Sequence, residues 1–216
     1  MIVGMKFLLV VLFLVFATPV LAHQPLIVNP TSSDDLTIIE NPEVSWAYYG
    51  ELTGYPHTFE FRVDDPVQLD VQILEFDTDE SSKKYSGIII RERDNGRGVE
   101  EIARLQADSG QWDSFYEPFG GDRYLNGPEF SGEVKPGVYR IEVSTPTNKG
   151  KYALSVGKIE DFSNVGYFEL FKTIYKVKRF QGKPPISMLG TPFVYVPLLL
   201  VLIFFFGWKK YKKRHA

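Results

Sequence analysis

His57-Thr-Phe-Glu-Phe-Arg-Val63, Asp64-Asp65-Pro66, then Val67-Gln-Leu-Asp-Val-Gln-Ile-Leu74: these eighteen residues decide the fold. Phe59, Phe61 and Val63 alternate with Glu60 and Arg62. Val67, Leu69, Val71 and Ile73 alternate with Gln68, Asp70 and Gln72. A strict period of two places all the apolar side chains of a strand on one face. The Asp-Asp-Pro between the runs supplies turn chemistry.

The same alternation continues outward. Towards the N-terminus, Val44 to Leu52 and Leu36 to Ile39 read as strands. Towards the C-terminus come Ser86 to Arg91, Glu101 to Gln106, Trp112 to Tyr116, Val138 to Ser144 and Lys151 to Val156. The last two, joined by Thr147-Asn148-Lys149-Gly150, predict a hairpin. Eight or nine short strands without a helical period predict a mainly β chain, an antiparallel jelly-roll-like sandwich over residues 36–158, after a lead-in at 23–35.

At about Asp161 the pattern changes. Ser163 is placed to cap a helix from Asn164 to Phe180, with Phe168, Phe171, Ile174, Tyr175 and Phe180 near one stripe and Lys172, Lys176, Lys178 and Arg179 elsewhere. Residues 159–185 therefore read as an amphipathic stem and linker, ending at Pro184-Pro185. The helix suits either the membrane interface or a place against the sandwich.

Both chain ends are apolar. Residues 1–22 hold Lys6, an apolar run and Val20-Leu21-Ala22, the pattern of a cleaved signal peptide. Residues 186–208 carry no charge, about 34 Å as a helix, and predict one C-terminal transmembrane helix. The basic tail 209–216 follows, and the positive-inside rule places it in the cytoplasm. The expected localisation is a cell membrane, with the domain outside and the lipid bilayer as one partner.

From His23 to Lys158 there are 24 acidic and 13 basic residues, whereas 159–185 has five basic and three acidic. An acidic domain argues against nucleic acid as a partner. Cysteine is absent, so neither disulfides nor a cysteine metal site are available. Only His57 among the three histidines lies within the domain. With neither a Cys-His pair nor the makings of a Ser-His-Asp triad, no enzyme is expected.

The densest cluster of chemistry is Trp112 to Tyr124, where Trp112, Asp113, Glu117, Asp122, Arg123 and Tyr124 are the candidate ligand-binding residues. Aromatic platforms flanked by carboxylates build sugar sites and some calcium sites. Trp112, Phe115 and Phe119 equally suit a core. Asp77-Thr78-Asp79-Glu80 has the alternating oxygens of a calcium loop but lacks its glycine and distal glutamate. No cofactor is expected, with calcium kept open. The partner is an envelope protein or, in the alternative, a glycan or calcium at the 112–124 loop.

Gly137-Val-Tyr-Arg-Ile-Glu-Val-Ser144 and Gly150-Lys-Tyr-Ala-Leu-Ser-Val156 resemble the closing hairpin of bacterial pre-peptidase C-terminal (PPC-like) domains. His57 to Val63 is similar to that family's opening strand. The resemblance spans roughly Val44 to Val156, and departs from the family in the Trp112 to Tyr124 segment and the C-terminal anchor. The layout also looks like that of membrane-anchored prokaryotic proteins. It implies a non-catalytic binding or accessory module and carries over no catalytic residue.

Overall fold

The computed structural model describes residues 23–79, 81–118, 120–161 and 166–215. The expected signal peptide lies outside them. Two sheets face each other. The first has six strands in the order β1 (Gln24–Ile27), β3 (Trp46–Thr53), β11 (Lys149–Val156), β5 (Val67–Phe76), β9 (Asp122–Val134), β8 (Ser114–Glu117). The second has five, in the order β2 (Leu36–Ile38), β4 (His57–Val63), β10 (Gly137–Ser144), β6 (Ser86–Glu92), β7 (Val99–Leu105).

The period-two strands supply the space between the sheets. Phe59, Phe61, Leu69, Val71, Ile73, Ile89, Tyr139, Ile141, Tyr152 and Leu154 are buried there. Phe61 and Tyr139 stack with ring centroids 5.2 Å apart. Each such ring or branched side chain removed from water contributes about 1.5–3 kcal/mol, which is how a chain without disulfides holds a two-sheet core.

Three expectations change. The lead-in is not loop throughout: β1 lies in it and pairs with β3 in parallel, as β2 does with β4, so one edge of each sheet is parallel while the strands at the opposite edges, β8 and β7, pair antiparallel. The second change is β9, a strand that is not among those expected from the sequence. Asn126-Gly127-Pro128 lies within the strand, where the β5–β9 register shifts between Gln72 and Leu74. A Cβ on Gly127 would lie 2.5 Å from the Ile73 carbonyl oxygen and 2.8 Å from the Trp112 ring. Glycine is there for close approach.

The third change concerns the C-terminal part. Helix α1 is Tyr167–Phe180, with Gly166 in its cap position; the expected cap, Ser163, lies outside the described residues. Gly182, at φ +78°, closes its C-terminus as the Lys183 N–H bonds the Lys178 carbonyl at 2.9 Å. The helix packs on the outer face of the six-stranded sheet, with Leu170, Ile174 and Val177 buried and Val177 and Phe180 joining a cluster of Ala47, Tyr49, Leu74, Tyr124 and Ala153. The stripe drawn from the sequence is thus corrected: Ile174 points inward, but Phe168, Phe171 and Tyr175 are exposed.

The run 186–208 is not one helix. Pro185–Gly190 forms a 3-10 turn, and helix α2 is Pro192–His215. Its uncharged part, Pro192 to Trp208, is seventeen residues, about 25 Å against a hydrocarbon core of about 30 Å. Among the described residues no helix is long and apolar enough to cross a membrane.

Candidate functional site

Part of the segment 112–124, residues 115–118 with Gly120, Asp122 and Tyr124, lines a cavity of about 640 Å³ between α1 and the six-stranded sheet. Tyr49, Leu74 and Tyr124 form its floor, Ile174 and Val177 its roof, and Phe115 and Tyr116 the wall. Rings crowd this region: Tyr124 lies 5.3 Å from Phe76 and 5.8 Å from Phe115, centroid to centroid.

The polar end is built on Asp122, which is 2 % exposed at the start of β9. Its Oδ1 accepts from Lys178 Nζ at 2.6 Å and from Lys183 Nζ, and its Oδ2 accepts from Gln181 Nε2 at 3.1 Å. Gln181 Nε2 also approaches the Tyr124 hydroxyl at 3.3 Å, and that hydroxyl shares a 3.0 Å hydrogen bond with Tyr49. Lys178, also 2 % exposed, has its pKa lowered by burial, against the opposing pull of Asp122. Burial raises the Tyr49 and Tyr124 hydroxyls above their ordinary value. These groups hold α1 to the sheet.

The other candidates scatter. The Trp112 ring is buried over Gly127, and its Nε1 donates to the Ala107 carbonyl at 2.7 Å, so it offers no free face for a sugar. Tyr124 is buried as well. Asp113 and Arg123 are exposed, and Glu117 accepts from the Gly120 N–H at 2.6 Å. Tyr116 is the exposed ring of the segment, and Phe119 lies outside the described residues. The expected platform therefore narrows to Tyr116, with Asp113 and Arg123 as its exposed charged neighbours in sequence.

Asp77 accepts from the Ser114 hydroxyl at 2.5 Å, and Ser81 closes a turn on Thr78; Glu80 lies outside the described residues. Among the described residues no group of three or more carboxylates and histidines converges in a way that could hold a metal ion.

One arrangement was not legible in the sequence. His23 lies at the cavity's far end, its Nδ1 against Ser45 Oγ and its Nε2 3.0 Å from Ser155 Oγ. Burial lowers its pKa, so the ring is neutral between two serines. Nearby, burial works to raise the pKa of Asp70, but hydrogen bonds from Lys158 and Ser131, each 2.6 Å, hold it below the ordinary value. Neither pairing can be read from local spacing, since Ser155 is 132 residues from His23 and Lys158 is 88 from Asp70.

No protein-family model matches the chain, and a search of curated proteins finds no match. Among solved structures, the chain is similar to the pre-peptidase C-terminal domain of a collagenase from Bacillus anthracis. That match has 18% identity and a TM-score of 0.37, covering 59% of this chain and 98% of that one. It is similar to PliG, a periplasmic lysozyme inhibitor of Aeromonas hydrophila, at 15% identity and a TM-score of 0.35, covering 56% and 96%. A surface-associated copper-binding protein of Methylomicrobium album BG8 matches at 10% identity and a TM-score of 0.29, covering 58% and 98%. The resemblance to pre-peptidase C-terminal domains, carried in the sequence by the β4, β10 and β11 patterns, is found again among these structures.

Proposed function

We propose that this protein is a non-catalytic binding module, exported and held at a membrane by α2, which engages a protein partner through the outer face of its five-stranded sheet. The observation that carries the reading is α2 itself. Leu198, Leu199, Val201, Ile203, Phe205 and Trp208 are all exposed. They point in every direction around the helix, and Lys209, Lys210, Lys212 and Lys213 follow at once. A helix apolar all round and not covered by its own domain belongs in an apolar solvent. Its shortfall of about 5 Å is within what snorkelling lysines and local thinning accommodate.

The binding face follows from what the sheets leave uncovered. α1 covers the six-stranded sheet. On the five-stranded sheet two cross-strand rows point outward, Leu36–Thr58–Glu142–Ile88 and Ile38–Glu60–Arg140–Ile90. Leu36 and Ile38 are exposed on edge strand β2, and Arg140 is paired with Glu60 at 2.8 Å. Apolar margins around a paired-charge centre, beside an open strand edge, suit a protein surface.

Two measurements test this. In cells producing the full chain with a C-terminal tag, the protein should stay with membranes through an alkaline wash. A chain ending at Gly190 should be released. Pull-down from native membranes should then recover a partner that Ile38→Lys together with Ile90→Lys abolishes. Release of the full chain by the wash would refute the tether, and unchanged capture by the double variant would refute the binding face.

A further inference from the structure

Helix α1 is amphipathic twice. Its inner side, Leu170, Ile174 and Val177, is spent on the six-stranded sheet. At about 100° per residue, Phe168, Phe171 and Tyr175 fall within roughly 60° of one another on the opposite side, and Lys172, Arg179 and Lys176 fill about the next 80°. All six are exposed, Phe168 to 78%. Of the cations, Lys172 is paired with Glu169 at 2.6 Å. An apolar strip facing solvent beside a cationic strip is not needed to dock the helix on the sheet. That work is done by the inner side, by the Asp122 cluster and by Lys151, whose Nζ donates to the Phe180 carbonyl at 2.7 Å.

We infer that the outer face of α1 rests on the headgroup layer of an anionic bilayer, so that the helix is clamped between the six-stranded sheet and the lipid. The inference builds on the tether proposed above. Three observations select lipid as the occupant. Only residues 181–191 separate α1 from α2, and within them the 3-10 turn presents Ile186 and Leu189 to solvent, continuing the apolar strip towards the membrane helix. Residues 159–185 are net positive while 23–158 carry a net charge of −11. An anionic surface therefore attracts this face and repels the rest of the domain. Finally, aromatic rings flanked by Lys and Arg are the composition of a helix lying in the interface plane.

The consequence is an orientation. The six-stranded sheet faces the membrane through α1, and the five-stranded sheet, with Ile38 and Ile90, faces away. The domain would lie on the bilayer with a fixed side outward instead of swinging on its linker.

The absence of cysteine makes the test direct. Single cysteines would be introduced into the full chain as Phe168→Cys, Lys176→Cys, Leu202→Cys and Asp64→Cys, then nitroxide-labelled. The protein would sit in bilayer discs of phosphatidylcholine with phosphatidylglycerol, and spin-label accessibility to oxygen and to a water-soluble nickel chelate would give depth. The inference expects position 202 in the hydrocarbon, 64 in water, and 168 and 176 at headgroup depth, with an oxygen-to-nickel ratio several-fold above that at 64. Combining Lys172→Glu, Lys176→Glu and Arg179→Glu should return label 168 to water without moving the urea midpoint. If 168 is as aqueous as 64 while 202 is deep, the inference falls and the tether stands. If 202 is also aqueous, both fall. A label at 168 shielded from both reagents would mean that protein, not lipid, covers this face, and would overturn the inference.

Discussion

Replacing Asp122 by alanine should be among the most damaging single changes outside the inter-sheet core. The Lys178 ammonium is buried with Asp122 as its carboxylate partner at 2.6 Å. Its next nearest acceptor among the described residues is the Gly121 carbonyl at 3.5 Å. Asp122→Ala would strand that charge, and breaking a buried pair from one side costs about 3–5 kcal/mol. That is a large part of the 5–15 kcal/mol typical of a whole domain. Lys178→Met should cost less, about 2 kcal/mol, since Asp122 keeps Lys183 and Gln181 and loses one charge-assisted hydrogen bond. Asp122→Leu combined with Lys178→Met should lie within about 1 kcal/mol of the parent, because Lys183, partly exposed already, can return to water. The assay is urea denaturation of the full chain, followed by near-ultraviolet circular dichroism of the Tyr49, Phe76, Tyr124 and Phe180 cluster. An Asp122→Ala cost below about 1 kcal/mol, or a double variant as unstable as Asp122→Ala, would refute the claim that this pair fastens α1.

Other expectations follow from the same packing. Trp112→Ala should cost about 3–5 kcal/mol through lost burial and a cavity over Gly127, read as a lower urea midpoint. Gly127→Ala should cost about 1–3 kcal/mol, because its Cβ meets the Ile73 carbonyl; wild-type stability there would show that β5 and β9 can part. His57 is buried with Nδ1 2.9 Å from the Tyr152 hydroxyl and Nε2 without a hydrogen-bond partner among the described residues, and burial lowers its pKa. Its contribution is complete above the unfolded value of about 6.5 and is lost as pH falls below it, where the unfolded chain takes up the proton first. His57→Gln should therefore flatten the acid side of the stability profile, and an unchanged slope would contradict this. Tyr116→Ala, at an exposed ring, should leave stability within about 0.5 kcal/mol. If it also leaves binding on a glycan array unchanged, the sugar reading of the 112–124 segment fails.

The sequence by itself determined whatever a local period can encode. Alternation in β4, β5, β10 and β11 announced strands and named their inward residues, Phe59, Leu69, Ile141 and Leu154 among them, since side chains two apart in a strand share a face. The absence of cysteine, the acid-rich domain and the basic stretch after it are likewise properties of composition. Tertiary structure decided the rest, for reasons of distance and close approach. Asn126-Gly127-Pro128 has the local chemistry of a turn, and only the Trp112 ring and the β5 bulge explain a glycine inside a strand there. α1 has apolar residues on two sides, so periodicity could not say whether Phe168 or Val177 would face the sheet; the floor of Tyr49, Leu74 and Tyr124 selected Val177. Asp122 looked like a ligand-binding carboxylate beside its aromatic neighbours. Its partner Lys178 lies 56 residues away, and only folding brings a buried charge to the counter-charge that lets it stay there.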